Sequence, residues 1–91
     1  MEKIRKEYRF TGRVQGVGFR YHAYHIAQLL GITGWVQNCY DGSVIAQAQG
    51  HPGVLKDFVA MLGQGRYIAI DEVEEREVPM NEDERGFKVL H

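Results

Sequence analysis

Residues 12–20, GRVQGVGFR, combine glycines, apolar side chains and a terminal arginine in a stretch that could hold an anion. Gly16 and Gly18 can take positive φ and expose backbone N–H groups with no Cβ in the way. The residues that follow open a helix, whose N-terminus carries partial positive charge. Successive N–H groups in such a turn form a concave nest, and Arg20 adds a permanently charged, bidentate donor matched to phosphate or carboxylate. The common nucleotide motifs do not fit. No Gly-Lys-Ser/Thr follows, so this is not a Walker loop, and Tyr21 stands where a dinucleotide fingerprint needs its third small residue. The residues alone leave open both a loop built around a ligand and a glycine-rich turn with a solvated arginine.

Other groups offer weaker chemistry. A phosphatase thiol needs an anion loop directly after it and an arginine to close that loop; CYDGSVI at 39–45 has neither, so Cys39 reads as a half-buried strand residue. Ser43, the only serine, falls in a hairpin turn, which argues against a serine nucleophile with a histidine base. His22 and His25 lie three apart on one helix face, with His51 and His91 elsewhere; without a nearby cysteine or acid they read as surface histidines, and no metal site is expected. Asp71, Glu72, Glu74 and Glu75 read as a solvated acidic strand and turn rather than as paired catalytic carboxylates.

These groups have to be positioned by very few elements. Tyr8, Phe10, Gly12 and Val14 alternate with Glu7, Arg9, Thr11 and Arg13, the period of a strand with one buried face. Phe19, Ala23, Ile26, Ala27 and Leu30 then recur at helical spacing, and Gly31 supplies a stop. Residues 33–40 and 43–49 are β-rich and flank Asp41-Gly42, a pair that suits a two-residue type I′ hairpin turn. Val54, Leu55, Phe58, Val59 and Leu62 mark a second helix, ended by Gly63 and Gly65. A further strand lies within 67–78, and residues 86–90 are long enough for a short last one. The order β-α-β-β-α-β with a small added strand predicts an α+β, ferredoxin-like two-layer sandwich, an antiparallel sheet with both helices on one face. If the first strand runs upward, the loop at 15–20 lies at the top, the helix descends and the second strand climbs to end near Asn38. Arg20 and Asn38 are therefore expected at the same end of the sheet.

The whole chain sets limits on partners. Its 91 residues leave room for a single domain, residues 1–91, and 44% hydrophobic with 25% charged residues is ordinary globular composition. One cysteine excludes an internal disulfide framework, and MEKIRKEYRF lacks the apolar core of a signal peptide, so a cytoplasmic location is expected. No apolar run approaches the roughly 18 residues that span a bilayer. With a net charge of −1, neither a membrane nor a nucleic acid is expected as partner, and the expected state is a monomer.

GRVQGVGFR, followed after a helix by GWVQN at 34–38 and DGSV at 41–44, resembles the acylphosphatase family, and the likeness extends to the closing GFKV at 86–89. The resemblance implies the ferredoxin-like fold, hydrolysis of small-molecule acyl phosphates, and no metal or other cofactor. By matching position it implies that Arg20 binds phosphate, that Asn38 positions the attacking water, and that the loop of Gln15, Gly16, Val17, Gly18, Phe19 and Arg20 offers backbone N–H groups to the phosphoryl oxygens. Gly12 and Gly34 are implied as structural members of the motifs. Gln37, where a basic residue is common, Cys39, where an aliphatic is, and the proline-free connection QGRYIAI at 64–70 depart from the family pattern and bear on substrate preference and stability.

The chemistry is consistent with so small a set of groups. Phosphoryl transfer through a loose transition state asks mainly for positioning and for charge on the equatorial oxygens, which arginine and a ring of N–H donors supply. An acyl phosphate releases a carboxylate whose conjugate acid has a pKa of roughly 4, so no general acid is needed. Two other functions share this fold order. One is an inactive anion-binding or regulatory domain of the same family. The other is an RNA-recognition module, which would stack bases on strand aromatics; Tyr8 and Phe10 exist, but GSVIAQAQG has no aromatic and no K/R-G-F/Y pattern.

Overall fold

In the first strand, β1 (Ile4–Arg13), the side chains of Tyr8 and Phe10 are buried while their neighbours Glu7 and Arg9 are only partly covered, as alternation requires. This computed structural model describes residues 2–91. β1 leads into α1 (Phe19–Leu30), then β2 (Thr33–Asn38), β3 (Val44–Gly50), α2 (Pro52–Leu62), β4 (Ala69–Val78) and β5 (Phe87–Leu90). One five-stranded sheet results, in the order β4-β1-β3-β2-β5. The predicted order of elements is thus the observed one. No helix among the described residues is long and apolar enough to cross a membrane.

The core lies between sheet and helices. α1 buries Phe19, Ala23, Ile26 and Ala27, and α2 buries Leu55, Phe58 and Leu62, the helical spacings read from the sequence. They meet Tyr8, Phe10, Val36, Val44, Ala46, Ala48 and Phe87 from the sheet. Phe10 and Phe19 stand 5.1 Å apart between ring centroids, which ties the first turn of α1 to the end of β1. Tyr8 and Phe10 are therefore core residues packed under the helices, and neither presents a ring face on which a base could stack.

The two motif glycines Gly12 and Gly34 are fixed by close backbone approach. A Cβ on Gly34, whose φ is 148°, would stand 1.9 Å from the Gln47 carbonyl oxygen of β3. One on Gly12 would stand 2.3 Å from the carbonyl oxygen of Ala69 in β4, at the point where the β1–β4 register shifts.

Two details differ from the sequence reading. The hairpin turn is not type I′, because that turn needs positive φ at both central residues and Asp41, like every non-glycine residue described, has none. Gly42 alone takes positive φ, at 94°; its N–H donates to the Cys39 carbonyl, and Cys39 N–H donates to the Ser43 carbonyl at 2.8 Å, which makes a three-residue loop. The cause is the Asp41 side chain, whose Oδ1 accepts from both the N–H and the hydroxyl of Ser43. The second difference is β5, which pairs parallel with β2, so the otherwise antiparallel sheet is mixed. β4 runs down to Val78 opposite Arg5, the chain crosses the bottom through 79–86, and β5 must then climb in the same direction as β2.

That crossing covers an arginine. Arg5 lies on the sheet face away from the helices yet is 3% exposed, with Nη1 2.7 Å and Nη2 3.1 Å from the carboxylate of Glu84. Gln47 accepts from Nε and Gln49 from Nη1, and Gln49 in turn joins the backbone of Asn81. No buried side-chain nitrogen or oxygen among the described residues is left without a partner, the condition under which an ion pair can be buried.

Candidate active site

At the top of the sheet, residues 14–18 leave β1 and enter α1 through two left-handed glycines, Gly16 at φ 72° and Gly18 at φ 78°. Neither has any atom within 4 Å of where a Cβ would stand, so backbone conformation and not crowding demands glycine at both positions. Gly18 is the N-cap of α1, no side chain caps it, and the first turn carries no acidic residue. Consequently the amides from Gln15 to Tyr21 find no acceptor among the described residues; His22 is the first to be satisfied, by the Gly18 carbonyl at 3.0 Å. A helix start with uncapped amides, a concave approach and no carboxylate of its own has the donor set that an anion requires.

The expected convergence is present. Gly16, Gly18, Arg20 and Asn38 line one cavity of about 250 Å³, with Val14, Phe19 and Tyr21 completing the wall. Asn38 reaches it from the last position of β2, half-buried, and its carboxamide has no protein partner among the described residues. Gln15 and Val17, the remaining loop residues singled out in the sequence, are partly covered and stand beside this wall rather than in it. A larger depression, about 380 Å³, lies against the 81–85 segment, where Glu84 and Asn81 are already engaged by Arg5 and Gln49.

Two supporting contacts were not visible in the sequence. Nη1 of Arg20 donates to the Leu90 carbonyl oxygen at 3.1 Å and lies 3.4 Å from Nδ1 of His91, so β5 holds one arm of the guanidinium. Its other N–H groups have no acceptor among the described residues. The Gln15 side chain donates to the carbonyls of Cys39 and Ser43, at 2.7 and 2.8 Å, and so binds the loop to the hairpin that follows Asn38. Both contacts join residues far apart in the chain, and neither leaves a periodic or compositional trace.

The remaining candidates are occupied elsewhere. Ser43 is buried, its hydroxyl accepting from Arg9 and donating to Asp41; the hydroxyl and backbone N–H of Ser43, both donating to Asp41, with the nearby Arg9 charge, hold the Asp41 carboxyl below its usual range. His22 has Nε2 3.1 Å from the Met61 carbonyl. Cys39 is half-buried just beyond β2, and Asp71, Glu72, Glu74 and Glu75 are exposed along β4.

A family model described as Acylphosphatase matches residues 6–89. The chain is 40% identical over 81 residues to an acylphosphatase of Clostridium acetobutylicum, covering 88% of this chain and 89% of that one. It is 42% identical over 88 residues to an acylphosphatase of Bifidobacterium longum, covering 94% and 91%. Among solved structures, the acylphosphatase of Bacillus subtilis superimposes with a TM-score of 0.89 at 30% identity, over 97% of this chain and 99% of that one.

Proposed function

The chain belongs to the acylphosphatase family, and from that premise we propose that Arg20 and the amides of residues 15–20 hold the phosphoryl group of an acyl phosphate while Asn38 positions the water that attacks it. The observation that carries this reading is that a run of unpartnered amides from Gln15 to Tyr21 borders one cavity whose wall includes Gly16, Gly18, Arg20 and Asn38. Those donors match the three equatorial oxygens of a phosphoryl group, and they are preorganised, since two left-handed glycines and a helix start set their directions before substrate arrives.

The reaction is a direct displacement. Asn38 holds a water in line behind phosphorus; the water oxygen bonds to phosphorus as the phosphorus–oxygen bond to the acyl group breaks and the carboxylate leaves with the electron pair. Neither Asn38 nor Arg20 is a base at neutral pH, so the water's proton passes to a phosphoryl oxygen or to solvent. The leaving carboxylate needs no proton, which suits a cavity whose wall has no titratable acid besides the Tyr21 phenol. A phosphomonoester would release an alkoxide and require one.

Hydrolysis of acetyl and benzoyl phosphate in EDTA by wild type, Arg20→Ala and Asn38→Ala tests the assignment. Loss in both variants with the fold retained supports it, and undiminished turnover in either sinks that residue's role.

A further inference from the structure

We infer that the ring of Tyr21 receives the acyl group, so that the site favours aryl and extended apolar acyl phosphates over acetyl phosphate; this rests on the acyl phosphate reading above.

The cavity has polar groups for one end of the substrate and little for the other. Of its side chains, Val14 and Phe19 are 1% and 2% exposed and spend their surface on the core, the glycines contribute none, and Arg20 and Asn38 are polar. Tyr21 remains. It is 67% exposed although it lines the same cavity, and its hydroxyl has no partner among the described residues. Its exposure follows from helix geometry. Phe19 faces the sheet, and two residues later the helix has turned by about 200°, so Tyr21 cannot share that face. No side chain among the described residues covers the ring, and an aromatic side chain left in water at the rim of a polar site is a preformed apolar contact.

In-line attack says which part of the substrate lies there. Attacking water and departing acyl oxygen must stand on opposite sides of phosphorus. Asn38 belongs to the sheet layer and Tyr21 to the helix layer, so a water held by Asn38 sends the acyl group toward the helix side of the cavity. Tyr40 and Tyr67 are also exposed, but neither lines this cavity.

The test is kcat/KM for benzoyl and acetyl phosphate in wild type, Tyr21→Ala and Tyr21→Phe. Each variant's benzoyl-to-acetyl ratio is taken relative to wild type, which cancels the different leaving groups. Tyr21→Ala should lower the ratio about 3- to 10-fold, the worth of one aromatic contact, through benzoyl phosphate alone. Tyr21→Phe should keep it, and inhibition by inorganic phosphate should be unchanged in both. An unshifted ratio in Tyr21→Ala, or equal loss on both substrates, overturns the assignment while leaving the hydrolytic reading intact. Turnover of neither substrate by wild type overturns both.

Discussion

Nε2 of Gln15 lies 2.7 Å from the carbonyl oxygen of Cys39, the residue that follows Asn38, and the same amide reaches the Ser43 carbonyl at 2.8 Å. One side chain thus ties the 15–20 loop to the end of β2, next to Asn38, for which a water-positioning role is proposed. Gln15→Ala should lower stability by about 1 kcal/mol, the net worth of such hydrogen bonds. It should lower kcat by about 10-fold, because small misplacements of positioned groups are costly. Gln15→Glu should be worse than alanine, since a carboxylate would face two carbonyl oxygens. Denaturant unfolding and steady-state kinetics on the three proteins decide this.

Arg20 and Asn38 should separate by what they bind. Inorganic phosphate should raise the melting temperature of wild type, and Arg20→Ala should abolish that rise and cut kcat/KM by about 10³-fold. Asn38→Ala should cut kcat by about 10²-fold while keeping the phosphate-induced rise. Thermal scans with and without phosphate distinguish the two; a lost rise in Asn38→Ala would count against a role confined to water.

The Arg5–Glu84 pair gives a contrasting expectation, for stability with chemistry untouched. Its side chains are 3% and 11% exposed, so Glu84→Ala leaves an uncompensated buried guanidinium and should cost about 3 kcal/mol. Because the pair sits on the sheet face away from the helices and at the opposite end from Asn38, kcat at a temperature where the variant is folded should match wild type. Urea unfolding beside an activity assay checks both halves.

Tyr8 predicts the alkaline limit. Burial, reinforced by the nearby Glu75 carboxylate, raises its phenol pKa well above the ordinary value near 10. The folded state therefore holds the proton where the unfolded chain has lost it, and the stabilisation present below about pH 10 declines as pH rises further. Wild type should lose about 1.4 kcal/mol per pH unit above that point through this group, and Tyr8→Phe should remove that part of the slope. Denaturant midpoints from pH 9 to 11 give the measurement.

What could be read in the sequence was whatever repeats or turns sharply. The helical spacing of Phe19, Ala23 and Ile26 and the alternation around Tyr8 and Phe10 gave the elements, and their order then put Arg20 and Asn38 at one end. Pairings set by distant groups were not legible. Arg5 shares a strand face with Glu7 and Arg9 and looks equally solvated, but the 79–86 segment closes over it from 79 positions away. The turn at Asp41-Gly42 follows a side-chain bond to Ser43 that the dipeptide rule does not include. Four residues of β5 are too few for periodicity to state a direction.

β5 is a short edge strand, and it supplies the carbonyl that holds one arm of Arg20. Local opening of an edge costs less than global unfolding, so with Arg20 in its proposed role the competent fraction of molecules should follow docking of this strand before it follows the core. Catalytic rate thus becomes a sensitive gauge of a local equilibrium. A perturbation that frays residues 87–90 should dim the enzyme in proportion to the undocked population while the spectroscopic signals of the folded sheet barely move.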